Sequence, residues 1–154
     1  MASKTRLLTY LKERNVKALL AGLDESPELL QFKDERGRNW LHLCASVGRR
    51  AFGAPSKQLA QGLLTRGIDI NAPAFTEGTW HATPLWYAVA RGRNIELASY
   101  LLEHGSTPEH CLWAASFNED LEMLALLLEQ GATLEAVAEG ETPLLGAIKW
   151  SKFK

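Results

Sequence analysis

Thr83-Pro84-Leu85-Trp86-Tyr87-Ala88-Val89 is the stretch from which the fold can be read. Threonine before proline is a helix start: the hydroxyl caps, and proline at the first helical position forfeits no hydrogen bond. The pattern returns upstream as Asn39-Trp40-Leu41-His42-Leu43-Cys44-Ala45 and downstream as Thr142-Pro143-Leu144-Leu145-Gly146-Ala147-Ile148. A second motif follows the first two copies, Leu63-Leu64-Thr65-Arg66-Gly67 and Leu101-Leu102-Glu103-His104-Gly105, and recurs as Leu127-Leu128-Glu129-Gln130-Gly131. Glu109-His110-Cys111-Leu112-Trp113-Ala114-Ala115 is a further copy of the first motif, aligned at the same 26-residue offset as Leu102 and Leu128 but lacking Thr-Pro. Pro84 and Pro143 stand 59 residues apart, one step of 26 and one of 33. A period near 33 predicts units made of a β-turn and two antiparallel helices.

Working outward from the motifs, the residue types suit that unit. The small residues Cys44, Ala88, Ala114 and Ala147 let inner helices of neighbouring units approach closely. The outer helices carry apolar residues at helical spacing, Ile95, Ala98 and Leu102 in one and Leu121, Leu124, Ala125 and Leu128 in the next, and both stripes are expected to pack into the core. Gly67, Gly105 and Gly131 stand where a helix ends in a left-handed residue.

From about Asp34 to Trp150 the chain resembles the ankyrin repeat family, which implies an all-α solenoid of stacked helix-turn-helix units with β-turn fingers. Asp34-Glu35-Arg36-Gly37-Arg38-Asn39-Trp40-Leu41-His42 resembles the family's turn-and-helix opening, with Asn-Trp in place of Thr-Pro, and Gly67-Ile68-Asp69-Ile70-Asn71-Ala72 resembles its closing turn. One domain over 1–154 is expected: a degenerate N-terminal capping repeat (1–33), a repeat with an insertion between its helices (34–71), a repeat with a long finger (72–106), a short repeat (107–133) and an incomplete last one (134–154). The insertion falls within 49–57 and the long finger within 71–83, whereas Gly105 to His110 is too short for a full finger. After Pro143 there is room for one inner helix, so a fragment of a longer array is the favoured reading. Its uncovered Leu144, Ile148, Trp150 and Phe153 lead us to expect self-association through that end.

Composition narrows the function. Residues are 46% hydrophobic and 23% charged, within the globular range. A formal net charge of −1 provides none of the cationic excess on which nucleic-acid or anionic-membrane binding normally rests. No stretch approaches the roughly 20 apolar residues of a membrane span, and no apolar secretory core follows the first residues. Two cysteines in 154 residues make no disulfide framework, which favours a reducing, cytoplasmic setting. Cys44 and Cys111 fall two repeats apart, beyond the roughly 7 Å Cα separation a disulfide allows.

No phosphate-binding glycine loop, HExxH or CxxC spacing is found, so neither cofactor nor metal is expected. His42 and Cys44, two apart on one helix, point in opposed directions and cannot act jointly. The resemblance makes His42 a helix-stabilising residue. His104, His110 and Cys111 cluster in sequence, yet metal binding there is the minor reading, and Glu119, Asp120 and Glu122 read as the dipole-favoured start of a helix.

What remains is surface. The resemblance implies that partners contact the finger tips and the exposed ends of the inner helices. Position by position this nominates Glu35, Arg36 and Arg38 in the first finger, Thr79, Trp80 and Ala82 in the second, and Ala138, Glu139 and Glu141 in the last. On the inner helices it nominates Ser46, Val47, Ala90, Arg91, Ser116, Phe117, Lys149 and Trp150. Aromatic residues and arginine dominate interface energies, so Trp80, Arg91, Phe117 and Trp150 form the sharpest candidate. Against it, Trp80 could fold onto its own loop and Phe117 could fill the place of the missing finger, while Trp86 and Trp113 read mainly as packing. The reading is a non-catalytic module that binds a protein through its concave face, as adaptor or inhibitor. A regulatory or targeting region of a longer polypeptide comes second; a nucleic-acid binder using Arg36, Arg38, Arg91 and Arg93 comes third.

Overall fold

The computed structural model describes residues 2–47, 54–74, 82–108 and 110–132, with only the backbone of Ala54. Eight α-helices lie within them, in four successive pairs: α1 (Lys4–Lys12) with α2 (Val16–Glu25), α3 (Trp40–Ser46) with α4 (Ala54–Thr65), α5 (Pro84–Tyr87) with α6 (Ile95–Glu103), and α7 (Cys111–Phe117) with α8 (Leu121–Glu129). Among the described residues no strand forms; an isolated antiparallel bridge joins Ala74 to Ala82 at the base of the second finger.

The starts of the helices are written in the sequence. Side chains of Ser3, Asn15, Asn94 and Asp120 accept a hydrogen bond from the backbone N–H three residues on, and Thr83 does the same for Trp86 at 3.3 Å. Each meets one of the four donors a helix start leaves unpaired. Gly67, Gly105 and Gly131 all adopt positive φ after the outer helices, as their spacing required.

The pairs stack. Helices α3, α5 and α7 touch in an inner row, and α2, α4, α6 and α8 touch in an outer one. One continuous core runs along the stack, with Leu7, Leu19, Trp40, Leu41, Leu59, Leu63, Leu85, Leu97, Leu101, Leu112, Met123 and Leu127 fully enclosed. Cys44 and Ala88 are fully buried and Ala114 nearly so, so small residues do line the helix contacts.

Trp40 explains the departure from Thr-Pro. Its indole Nε1 donates to the Leu29 carbonyl at 2.8 Å and its ring lies 5.0 Å from that of Phe32. It ties the 3-10 turn Pro27–Gln31 that follows the first helix pair to the second pair.

The inner helix α5 does not end as an α-helix. It continues as a π-helical turn over Ala88–Gly92, closed by Arg93 in the left-handed conformation at φ 48°. Asn118 supports the wider turn: its Nδ2 donates to the Ala90 carbonyl at 3.2 Å, and its Oδ1 accepts from Arg93 at 3.0 Å. Asn94 reaches back to Ser56 at 2.9 Å, and Asn71 joins the closing turn of one repeat to Gly105 and Thr107 of the next, both at 3.1 Å.

One expectation is corrected in α8. Leu121, Leu124, Ala125 and Leu128 were expected to pack inward, but Met123 and Leu127 take the core. Leu121 stays 66% and Leu128 46% exposed, Ala125 is exposed, and Leu124 is half-buried. The corresponding face of α6 is covered because α8 packs on it; no described element covers α8 in turn. The insertion between α3 and α4, most of the long finger and everything after Ala132 fall largely outside the described residues.

Candidate functional site

The first finger is a tight loop organised by Asp34. Its Oδ1 accepts from the backbone N–H of Arg36 at 3.0 Å and of Arg38 at 2.9 Å, and its Oδ2 accepts from Arg38 Nε at 2.7 Å. Burial works to raise the Asp34 carboxyl, but these hydrogen bonds outweigh it and hold it below its ordinary value. Gly37 supplies the positive φ, 75°, that closes the turn.

Behind the loop, His42 completes a capping box. Asn39 Oδ1 accepts from the N–H groups of Leu41 and His42, and the Asn39 N–H donates to His42 Nδ1 at 3.1 Å. On the far side of the ring, Nε2 stands 3.2 Å from the Ala82 carbonyl, which fits a neutral imidazole carrying its proton on Nε2. Burial lowers the His42 pKa, against the pull of hydrogen bonds with Ala82 and Ala72. Every polar atom of the ring is committed to the scaffold. This is a joint between repeats and has no geometry for proton transfer to a substrate.

From that joint a line of aromatic and cationic side chains runs along the inner helices. The Arg38 guanidinium lies over the Tyr87 ring at 5.8 Å, His42 meets Tyr87 edge-on at 5.6 Å, and Tyr87 meets Trp86 edge-on at 5.2 Å. Arg91, one turn on, lies over Trp86 at 5.8 Å. In the next repeat Trp113 and Phe117 stack with centroids 5.3 Å apart and planes 10° from parallel. Arg91 and Phe117 are exposed; Trp86 and Trp113 are half-buried; Tyr87 is buried. Among the described residues no carboxylate reaches ion-pair distance of Arg91.

These observations sort the candidates read from sequence. Arg91 and Phe117 are exposed on the inner row, in adjacent repeats. Arg36 and Glu35 are exposed on the first finger, whereas Arg38 is committed to Asp34 and Tyr87. Ala82 and Ser116 are buried and unavailable; Ser46, Val47 and Ala90 are half-buried. Thr79, Trp80, Ala138, Glu139, Glu141, Lys149 and Trp150 lie outside the described residues. Of the two pairings that sequence reading missed, Trp113 with Phe117 was signalled by a spacing of four on one helix, whereas Trp86 and Arg91, five apart, meet only through the π-helical turn.

Cys44 and Cys111 are free and buried; burial pushes the Cys44 thiol up to about 12 and raises Cys111 also, which disfavours the reactive thiolate. Among the described residues no three of His, Cys, Asp and Glu gather as metal ligands, and no helix is long and apolar enough to cross a membrane.

The family model for the ankyrin repeat matches residues 80–111, the end of the second finger and the helix pair after it. The chain is an ankyrin repeat protein. A curated ankyrin repeat protein of fowlpox virus (strain NVSL), FPV022, is 34% identical over 109 residues, covering 68% of this chain. The chain spans 18% of that protein's length. Ankyrin repeats generally mediate protein–protein interaction and the family is generally non-catalytic.

Proposed function

We propose that this ankyrin protein is a binding module that holds a partner protein on its inner-helix face, as an adaptor or inhibitor with no covalent chemistry of its own. The observation that carries the reading is Arg91: an exposed guanidinium laid over Trp86, with no carboxylate at ion-pair distance among the described residues. An arginine on an aromatic face keeps its donors free and loses little entropy when they engage a partner, which is why such pairs dominate interfaces. Phe117 adds apolar surface one repeat away. Arg36 extends the face to the first finger; by sequence position in the repeat, Thr79, Trp80, Glu139 and Glu141 belong to the finger edge and Trp150 to the last inner helix. The two buried, unreactive thiols suit a cytoplasmic setting.

The alternative, a regulatory or targeting region of a longer polypeptide, is favoured by the fraction of the fowlpox relative that the chain matches. Both readings use the same face. The test is affinity capture with wild-type and Arg91→Glu/Phe117→Ala baits, compared by quantitative mass spectrometry after both are shown to be folded. A protein enriched by the first and lost by the second supports the reading. Equal recovery of every captured protein removes the site from this face.

A further inference from the structure

Helices α6 and α8 are the same unit one repeat apart, yet their outward stripes meet different fates. At the 26-residue offset Ile95, Ala98 and Leu102 of α6 correspond to Leu121, Leu124 and Leu128 of α8. In α6 Ala98 is 0% and Leu102 8% exposed, with α8 packed against that helix. In α8 Leu121, Ala125 and Leu128, at i, i+4 and i+7, form an exposed apolar stripe along the helix.

Charge supplies the second observation. From Asn94 to Ile148 the sequence holds ten Asp and Glu and no lysine or arginine, whereas residues 1–93 hold fourteen lysines and arginines against eight acids. A net charge near zero thus conceals a basic N-terminal part and an acidic one after it. Glu119, Glu122 and Glu129 flank the stripe, all exposed, and among the described residues none is ion-paired.

The geometry points to this stripe as a docking site for an amphipathic helix of a partner protein, apolar at i and i+4 and carrying lysine or arginine on its flanks. The interface already exists once in the molecule: α8 lies on α6 with Met123 and Leu127 turned inward, and a helix laid on α8 in the same way continues that contact. The carboxylates choose the flanks, since a basic helix gains attraction where an acidic one meets repulsion. They also disfavour a second α8 as the occupant. An antiparallel pairing centred between Ala125 and Leu126 sets Glu122 against Glu129 of the copy. The site is separate from the inner-helix face, so either can fail alone.

The test titrates the chain into a fluorescent amphipathic peptide of about five helical turns, made in two forms with identical leucines and either lysine or glutamate flanks. The lysine form is expected to bind, and to bind more weakly as salt rises. The glutamate form, and a Leu121→Asp/Leu128→Asp chain with the lysine form, should each bind at least about tenfold more weakly. Leu128→Gln gives a milder variant with a smaller loss, and Arg91→Glu should leave binding unchanged. Equal affinity for the two peptides, or undiminished binding by the double variant, overturns the proposal. So does a concentration-dependent dimer in sedimentation velocity that the double variant abolishes, because the occupant is then a second copy.

Discussion

Gly92 approaches Ala45 so closely that a Cβ built on it would stand 2.3 Å from the Ala45 carbonyl oxygen and 3.1 Å from that of Val47. Both neighbours are backbone at the end of α3, and neither can move without shifting the helix. The wide turn Ala88–Gly92 is therefore pressed directly onto the preceding repeat, and it presents Arg91 on its outer side. Gly92→Ala should destabilise the chain by about 1–3 kcal/mol, read as a lower urea midpoint. A midpoint unchanged from wild type would show that the two inner helices are not in this contact.

Leu127 and Leu128 are adjacent and chemically identical, but one is fully buried and the other 46% exposed. Leu127→Ala should lose about 2–5 kcal/mol, and Leu128→Ala no more than about 0.5 kcal/mol. Comparable losses would mean that α8 is rotated from the register described.

The His42 joint makes stability depend on pH. Burial lowers its pKa in the folded chain, so between that value and the unfolded value of about 6.5 the unfolded chain binds more protons. Stability is then complete above about 6.5 and falls on acidification through the folded pKa. Denaturant titrations at pH 7.5 and pH 5.5 should show the loss, and His42→Gln should be less stable at pH 7.5 with a flatter profile. The carboxyls of Asp24 and Asp34, both lowered, contribute their losses only in more acidic solution.

Ala88 and Arg91 share a turn but not a role. Ala88→Arg would force a charged side chain into a fully buried helix contact and should abolish cooperative unfolding. Arg91→Glu should leave the thermal midpoint nearly unchanged and remove partner capture. If Arg91→Glu unfolds the chain, the Trp86 contact is structural and the proposed face loses its anchor.

The succession of helix pairs was legible because it rests on local signals: Thr83 before Pro84, and glycines after Leu64, Leu102 and Leu128. Each acts within a turn or two of chain, so spacing alone reveals it. The register of α8 was not legible, since Leu121, Leu124 and Leu128 repeat the pattern of Ile95, Ala98 and Leu102. Only the presence of a covering helix distinguishes the two. The π-helical turn and its support by Asn118 escaped for a related reason: they depend on where the α3 backbone lies, which no local pattern encodes. At the candidate face the aromatic residues were visible, but not that Arg38 would be spent on Asp34 or Ala82 buried under His42.

The most direct test of the binding reading is hydrogen exchange on the chain with and without the partner recovered by the wild-type bait. Slowed exchange is predicted in Pro84–Arg91 and Cys111–Phe117, the inner-row segments carrying Trp86, Arg91, Trp113 and Phe117. Protection confined to the outer helices α2, α4 and α6, with the inner row unchanged, would contradict it.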